Sequence, residues 1–175
     1  MIRRILPGLL LLLAAACGYR LQGTGSLPPT VKTIAVLPFQ KRVPVPELSQ
    51  RVTEAVTREL ARRSKIHVQS VSAGADAILT GSILSYSAVP VGFGSSGRAN
   101  RFEVRMSARV QLTTQQGKVL FEAKGYRFDQ IYEESPVPTN FINPEVVAYD
   151  RVANDFARAL VSSILESGSA GSAAK

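Results

Sequence analysis

The chain has 175 residues, a formal net charge of +8, one cysteine and one histidine. The length suits a single domain with one continuous core. A lone cysteine excludes a disulfide within the chain, and the sequence lacks a cluster of His and Cys at metal-ligand spacing, so we expect no metal site.

Residues 1–16 have the anatomy of a secretory signal. Arg3 and Arg4 form its basic start, Leu9–Leu13 form its apolar run, and three alanines precede Cys17. The apolar run is far shorter than the roughly 20 residues that cross a bilayer. The sequence therefore predicts a cleaved signal peptide over residues 1–16 and not a membrane span.

Cys17 directly follows the small residues, an arrangement that resembles the lipobox of bacterial lipoproteins. In that motif the cysteine is acylated, and two or three acyl chains anchor a protein stably. Ala14 stands where the motif prefers leucine, and a plain signal cleaved after Ala16 is the alternative. By the same resemblance Gly18 implies the outer membrane, since aspartate at that position is the usual inner-membrane signal.

The mature chain remains basic. Removing the two signal arginines from the 21 Lys and Arg leaves 19 against 13 Asp and Glu, a formal charge of +6. A basic exported protein meets anionic lipid or polysaccharide more readily than nucleic acid, so we expect no nucleic-acid partner. Charge that serves only solubility is the alternative.

The N-terminal half predicts a tether followed by a strand-helix-strand unit. Residues 17–30 are rich in Gly and Pro and predict a lipidated flexible tether. Residues 31–39 predict a strand buried on both faces, residues 46–65 an amphipathic helix, and residues 66–71 a second strand. The apolar stripe of the helix consists of Leu48, Val52, Ala55, Val56 and Leu60.

Three further strands are predicted in the C-terminal half. A strand over residues 77–88 leads into a flexible loop over 91–100. Residues 101–112 alternate between apolar and polar side chains, which is typical of a half-buried antiparallel strand. Gln116-Gly117 predicts a two-residue turn into a partner strand over 118–131, which pairs Leu112 with Phe121 and Val110 with Ala123, and a four-residue loop gives the same facing.

A second amphipathic helix is expected from Pro144, capped by Asn143, to about Glu166, with Phe156 in its apolar stripe. Residues 167–175 are predicted to be a disordered tail. The economical arrangement of residues 31–166 is an α+β two-layer sandwich. Its mixed, mostly antiparallel sheet of four or five strands carries both long helices on one face and leaves the other face open.

The open sheet face is the predicted functional surface, because strand alternation directs basic side chains outward there. The candidate binding residues are Arg98, Arg101, Arg105, Arg109, Lys118 and Lys124. We also expect Leu120, Tyr126 and Phe128 on this face, a mixture that suits an amphiphile bearing phosphates or the wall of another protein. An ordinary solvated face, neutralised by Glu103 and Glu122, is the alternative.

No catalytic site is expected. His67 is the only histidine and lies on a short predicted strand, and no pair of carboxylates is brought together by periodicity. Residues 92–97 fit the pattern GxGxxG, but they lead into a strand and not into a helix, so they do not predict a dinucleotide site. We therefore expect no cofactor.

Several segments, in their order and spacing, resemble the LptE family of lipopolysaccharide-assembly lipoproteins. They are Cys17-Gly18-Tyr19, Leu27-Pro28, IAVLPF over 34–39, RVTEAVTRELARR over 51–63, Ala75-Asp76-Ala77 with Leu79 and Gly81, and DRVANDFARALVSSILE over 150–166. The resemblance covers nearly the whole mature chain.

The resemblance implies a small α/β sandwich anchored by lipid at Cys17 and held in the lumen of the outer-membrane barrel translocon LptD. There such a protein serves as plug and assembly aid and contacts lipopolysaccharide from the periplasmic side. Neither catalysis nor a cofactor is implied. A lipoprotein that activates or scaffolds peptidoglycan synthesis is the alternative of a different class.

Overall fold

The computed structural model describes residues 27–41, 46–95, 97–133 and 144–170. In this part of the chain the strands are β1 (Thr33–Val36), β2 (Gln40–Lys41), β3 (His67–Gln69), β4 (Ala77–Phe93), β5 (Ala99–Thr114) and β6 (Val119–Glu133). The helices are α1 (Pro46–Arg63) and α2 (Pro144–Ala170). The predicted signal peptide, Cys17 and the predicted cap Asn143 lie outside the described residues.

The described strands form one mixed sheet in the order β3-β1-β4-β5-β6, and the short β2 also pairs with β4. β1 runs parallel to β3 and β4, whereas β4, β5 and β6 are antiparallel neighbours. Both helices pack on one face of this sheet around a shared apolar core. The predicted α+β two-layer sandwich is confirmed.

The first strand, Thr33–Val36, is shorter than the predicted 31–39, whereas the first helix ends only two residues before its predicted end. Ile34, Ala35 and Val36 are at most 2% exposed, as expected of a strand covered on both faces. The five residues of the predicted α1 stripe are also at most 2% exposed. Arg62 and Arg63 lie in the last turn of α1, where the helix dipole favours cations.

Ordered structure begins before the predicted first strand. Leu27 is only 5% exposed and belongs to the hydrophobic core, and the backbone N–H of Val31 donates to the carbonyl of Pro28 at 2.8 Å. The tether predicted over residues 17–30 therefore overlaps the folded core at its C-terminal end.

Asp76, directly before β4, forms hydrogen bonds with residues at the start of β1 and just after the end of β5. Its carboxylate accepts hydrogen bonds from the backbone N–H groups of Lys32 and Thr33, both at 2.9 Å. Its own N–H donates to the carbonyl of Thr33 at 2.9 Å, and its carbonyl accepts from the N–H of Gln115 at 3.3 Å. The bond from Lys32, followed by that from Thr33, lowers the pKa of Asp76.

Asp76→Asn is expected to lower the thermal unfolding midpoint at neutral pH, because a neutral amide oxygen accepts the two backbone bonds more weakly than a carboxylate does. The pKa of Asp76 is depressed below its ordinary value of 3.8 in the folded state. The carboxylate's contribution is therefore fully present above that value and is lost as the pH falls through the lower pKa of the folded protein. Thermal melts of the two proteins should converge in acid; a difference that is unchanged there would contradict this role.

β4 and β5 form a hairpin that is longer than predicted. β4 continues past Ala88 to Phe93, and β5 begins at Ala99, so much of the loop predicted over 91–100 is strand. Pro90 pairs with Phe102 next to an irregularity in the register, between Pro90 and Gly92. A strand tolerates proline beside such a bulge, which is why Pro90 does not end β4.

The β5–β6 hairpin has the predicted pairs Val110–Ala123 and Leu112–Phe121, but reaches them by a different turn. The N–H of Thr114 donates to the carbonyl of Lys118 at 2.8 Å, so the turn has three residues and not two. Gly117 has a φ of 82°, the left-handed conformation that closes such a turn. A register shift between Thr113 and Leu112, which leaves Leu120 as an extra residue of β6, then restores the predicted pairing.

A second shift in this hairpin reverses the facing of the rest of β6. Val110 pairs with Ala123, whereas Ala108 pairs with Tyr126, so Lys124 and Gly125 together lie opposite Arg109. The extra residue in this bulge directs Tyr126 toward the helices. The predicted regular alternation of β6 is therefore wrong after Ala123.

The predicted outward position of three apolar side chains in β6 is wrong as well. Leu120, Tyr126 and Phe128 are partly buried and pack against the core. The rings of Tyr126 and Phe128 meet that of Phe156 edge to face, at centroid distances of 5.7 and 6.0 Å. Phe156 has no exposed surface. The bulge thus gives α2 an aromatic contact with β6.

α2 continues to Ala170, beyond the predicted end at Glu166. Leu160 and Ile164 are fully buried, and the hydroxyl of Ser167 donates to the carbonyl of Ile164 at 2.9 Å. Residues 171–175 lie outside the described residues. Within the described chain, neither helix is long and apolar enough to cross a bilayer.

Candidate functional site

Three of the predicted site residues lie together on the sheet face opposite the helices. Arg101, Arg105 and Arg109 are exposed, while the alternate residues of β5 from Val104 to Leu112 are buried. Arg101 forms an ion pair with Glu133 at 3.3 Å, and Arg105 with Glu103 at 2.8 Å. The prediction that β5 directs these arginines to the open face is confirmed.

The bulge in β6 adds a cation that the sequence prediction missed. Arg127 is exposed and pairs in register with Ser107 of β5. Its diagonal neighbours are Arg105 and Arg109, about 7–8 Å away across the strands. Lys124 is exposed within the bulge, opposite Arg109. We call Arg105, Arg109, Lys124 and Arg127 the outer basic patch.

Carboxylates border the outer basic patch: Glu103 forms an ion pair with Arg105 at 2.8 Å, Asp129 lies opposite Arg105 in register, and Glu122 lies opposite Gln111. Among the residues that the structure describes, no ion pair within 4.0 Å involves Arg109, Lys124 or Arg127. The hydroxyls of Ser85 and Ser107 lie 2.6 Å apart on the same face. Arg109, Lys124 and Arg127, which form no ion pair within 4.0 Å with a described residue, lie beside these hydroxyls and are groups that donate charge-assisted hydrogen bonds to anions.

Two of the six predicted residues lie in the turns at opposite ends of β5. Arg98 is in the turn between β4 and β5, where its carbonyl accepts from the N–H of Gly94 at 2.9 Å. Lys118 is exposed in the turn at the other end of β5. The 16 residues of β5 separate these turns, a span of roughly 50 Å. The six residues therefore form a stripe along the hairpin and not one pocket.

The hairpin end that contains Arg98 projects beyond the helices. We call residues 87–95 and 97–103 the distal arm. Residues 87–91 of β4 are all exposed, although successive strand residues point to opposite faces. Val89, Val91 and Phe93 are 44%, 48% and 67% exposed, and Ile131 on β6, beyond β5, is 54% exposed. The apolar component of the surface thus lies at the arm and not at Tyr126 and Phe128.

The hydroxyl of Tyr132 joins the inner face of β6 to α2 by donating to Asp155 at 3.0 Å. Burial, and then this hydrogen bond, raises the pKa of Tyr132 well above its usual value. The bond is structural, because it lies on the helix side of the sheet, away from the outer basic patch.

Reactive chemistry is not suggested by the side chains that the structure describes. His67 is exposed on β3, and no group of three or more His, Cys, Asp or Glu within the described ranges is placed to hold a metal ion. The arrangement on the outer sheet face is suited to binding a charged partner.

The family model for LptE, lipopolysaccharide-assembly, matches residues 31–169. The chain belongs to the LptE family. The match covers every described strand and both helices up to residue 169, including the whole outer basic patch.

Two solved structures with TM-scores above 0.5 share the fold of this LptE-family chain. A protein from Xanthomonas campestris is 13% identical with a TM-score of 0.55, over 84% of this chain and 93% of that one. A hypothetical protein from Chlamydia trachomatis is 14% identical with a TM-score of 0.52, over 80% and 99%. Rare lipoprotein B from Shewanella oneidensis is 10% identical with a TM-score of 0.43, over 81% and 96%. No curated protein matches the sequence significantly.

Proposed function

We propose that this LptE-family protein is an outer-membrane lipoprotein that plugs and helps assemble an LptD-like β-barrel and assists insertion of lipopolysaccharide at the cell surface. Acylated Cys17 anchors the chain, and the folded domain lies on the periplasmic side within the barrel lumen. Membership of a lipopolysaccharide-assembly family supports this role.

The outer basic patch is the observation that carries the proposal. Arg109, Lys124 and Arg127 are exposed on a sheet face that the helices leave open. Guanidinium groups bind phosphate oxygens through two parallel hydrogen bonds, and lysine adds a point charge. Lipopolysaccharide brings phosphates to this face, and the cations bind them.

The distal arm supports contact with the barrel wall. Its exposed Val89, Val91 and Phe93 are joined by Arg98 and Arg101 on the same projecting hairpin. Clustered exposed apolar side chains on a soluble domain are typical of a surface that contacts another protein or lipid. We propose that the arm contacts the wall while the outer basic patch faces the lipopolysaccharide path.

Reversing two charges in the patch tests the proposal. Arg109→Glu combined with Arg127→Glu is expected to weaken binding of lipopolysaccharide by about tenfold or more, because it removes two charge-assisted contacts and adds repulsion. Binding is measured with the purified full-length protein by titration with lipopolysaccharide. Arg101 and Arg105 are left in place, since Glu133 and Glu103 already pair with them.

The matched control is Lys32→Glu with Lys65→Glu, which makes the same change in net charge at two exposed residues that are not among the candidate binding residues. Equal weakening in both double variants would mean that net charge alone attracts the ligand, and unchanged affinity of the patch variant would remove the proposed contact. Crosslinking in native membranes tests the partner. Attachment to an outer-membrane barrel supports the proposed role, and attachment to a peptidoglycan synthase supports the alternative.

A further inference from the structure

A second basic surface lies on the opposite side of the molecule, along the seam between the two helices. Arg58 donates to Asn154 at 3.3 Å and Arg63 to Ser162 at 2.5 Å, and Arg51 pairs with Asp150 nearer the helix starts. Because contacts advance together along both helices, α1 and α2 run side by side in the same direction. Between the two helices, on their outer side, lies an open groove of about 420 Å³.

Cations outnumber carboxylates in this groove. Its charged lining consists of Arg58, Arg62, Arg151, Arg158, Glu59 and Asp155. Four guanidinium groups against two carboxylates leave a local charge of +2. The groove shares no residue with the outer basic patch. What it binds is therefore independent of the role proposed for the sheet face.

Each of the two carboxylates already forms an ion pair with an arginine of its own helix. Glu59 accepts from Arg62 at 2.7 Å, and Asp155 accepts from Arg158. Both are pairs of residues three apart, an arrangement that stabilises a helix by itself. Stabilisation of the helices is therefore enough to account for the presence of Arg62 and Arg158 in the groove.

It does not explain Arg151, and it explains Arg58 only in part. Arg58 forms a long ion pair, at 3.8 Å, with the exposed Glu54 four residues earlier on α1, and it also donates to the neutral Asn154 of α2. Arg151 donates to a backbone carbonyl, that of Glu133, at 3.4 Å. The excess positive charge of the groove thus belongs to Arg58 and Arg151, which come from different helices.

We propose that this groove binds a phosphate monoester group. Such a group carries a charge of about −1.5 to −2 at neutral pH, which complements the local charge. Its three terminal oxygens accept from Arg58 and Arg151 at the same time, and the planar guanidinium favours this paired geometry. Since the groove is open, the phosphate can belong to a larger molecule, either a sugar phosphate of a glycolipid or a free phosphate.

The test is titration of the purified full-length protein with inorganic phosphate and, separately, with glucosamine 1-phosphate. NMR signals of the arginine Nε–H groups report binding directly. We expect saturable shifts of Arg58 and Arg151 in at least one titration. Saturation by the sugar phosphate indicates a glycolipid source, and saturation by inorganic phosphate alone indicates a free anion. Shifts that do not saturate in either titration overturn the proposal.

Variants separate a specific site from general charge attraction. Arg58→Gln with Arg151→Gln is expected to weaken binding by about tenfold or more, because each lost contact is a hydrogen bond between charged groups. Lys65→Gln with Lys118→Gln makes the same change in net charge outside the groove, and should change affinity by less than about twofold. Equal affinities of the two double variants would overturn the site.

A nearly isosteric substitution tests the groove in a protein that should retain its fold. Asn154→Asp places a carboxylate beside Arg58 on an exposed helix face, so the fold should be retained, as circular dichroism will verify. The new charge competes with phosphate for Arg58 and reduces the charge of the groove. Phosphate affinity should fall by about threefold or more. Affinity equal to that of the unmodified protein would count against the groove.

Discussion

Phe156→Ala is expected to destabilise the protein by about 3–5 kcal/mol, the range for a large aromatic side chain removed from a core. Phe156 has no exposed surface, and its ring meets two rings of β6 edge to face. Each such contact contributes about 0.5–1.5 kcal/mol beyond the burial of apolar area. Because the free energy of unfolding of such domains is only about 5–15 kcal/mol, this loss removes a large share of the total stability. Urea unfolding followed by circular dichroism measures the loss.

Phe93 provides the matched control for this prediction. It is the same residue type but is 67% exposed on the distal arm. Phe93→Ala should change the free energy of unfolding by no more than about 0.5 kcal/mol. Similar losses for the two variants would show that the contact between α2 and β6 is not the source of stability.

The elements that follow a regular period could be predicted from the sequence. The α1 stripe, the doubly buried β1 and the alternation of β5 all arise because apolar side chains must reach one core. The pairs Val110–Ala123 and Leu112–Phe121 were predictable for the same reason. These features fix the layer architecture and the side of β5 that faces solvent.

Interruptions of the period could not be predicted in this way. The stretch that contains Lys124 and Gly125 predicts a continuous strand. Nothing in the local sequence indicates the bulge, in which both residues lie opposite Arg109. The energetic reason for the bulge lies far along the chain, in Phe156, since a straight β6 would leave Tyr126 and Phe128 in water. A contact between distant segments therefore decides the local geometry.

The same interruption decides the composition of the candidate site. Counting along a straight strand puts Tyr126 on the outer face and hides Arg127, whereas the bulge exchanges them. The outer surface near Arg109 is consequently more basic and less apolar than alternation alone predicts. Under the proposed function, we therefore expect lipopolysaccharide phosphates to contact the outer basic patch and apolar contacts to be made by the distal arm.

Adjacent residues of β6 provide a direct test of the bulge. Phe128→Asp is expected to destabilise the protein by about 3–5 kcal/mol, because it removes a ring packed on Phe156 and places a carboxylate against the core. Arg127→Asp should change stability by no more than about 0.5 kcal/mol, since Arg127 is exposed. A straight strand predicts the opposite order, so chemical unfolding of the two variants distinguishes the arrangements.

Deleting Gly125 extends this test to the backbone itself. Without the extra residue, Lys124 alone lies opposite Arg109, and Tyr126 still follows opposite Ala108, so the same side chains point inward. The deletion should therefore be much less destabilising than Phe128→Asp, despite being the larger covalent change. Gly125→Ala should also be tolerated, because an added Cβ meets no atom within 4 Å. If the deletion unfolds the protein while Phe128→Asp does not, Gly125 is not the surplus residue, and the assignment of Arg127 to the outer basic patch is wrong.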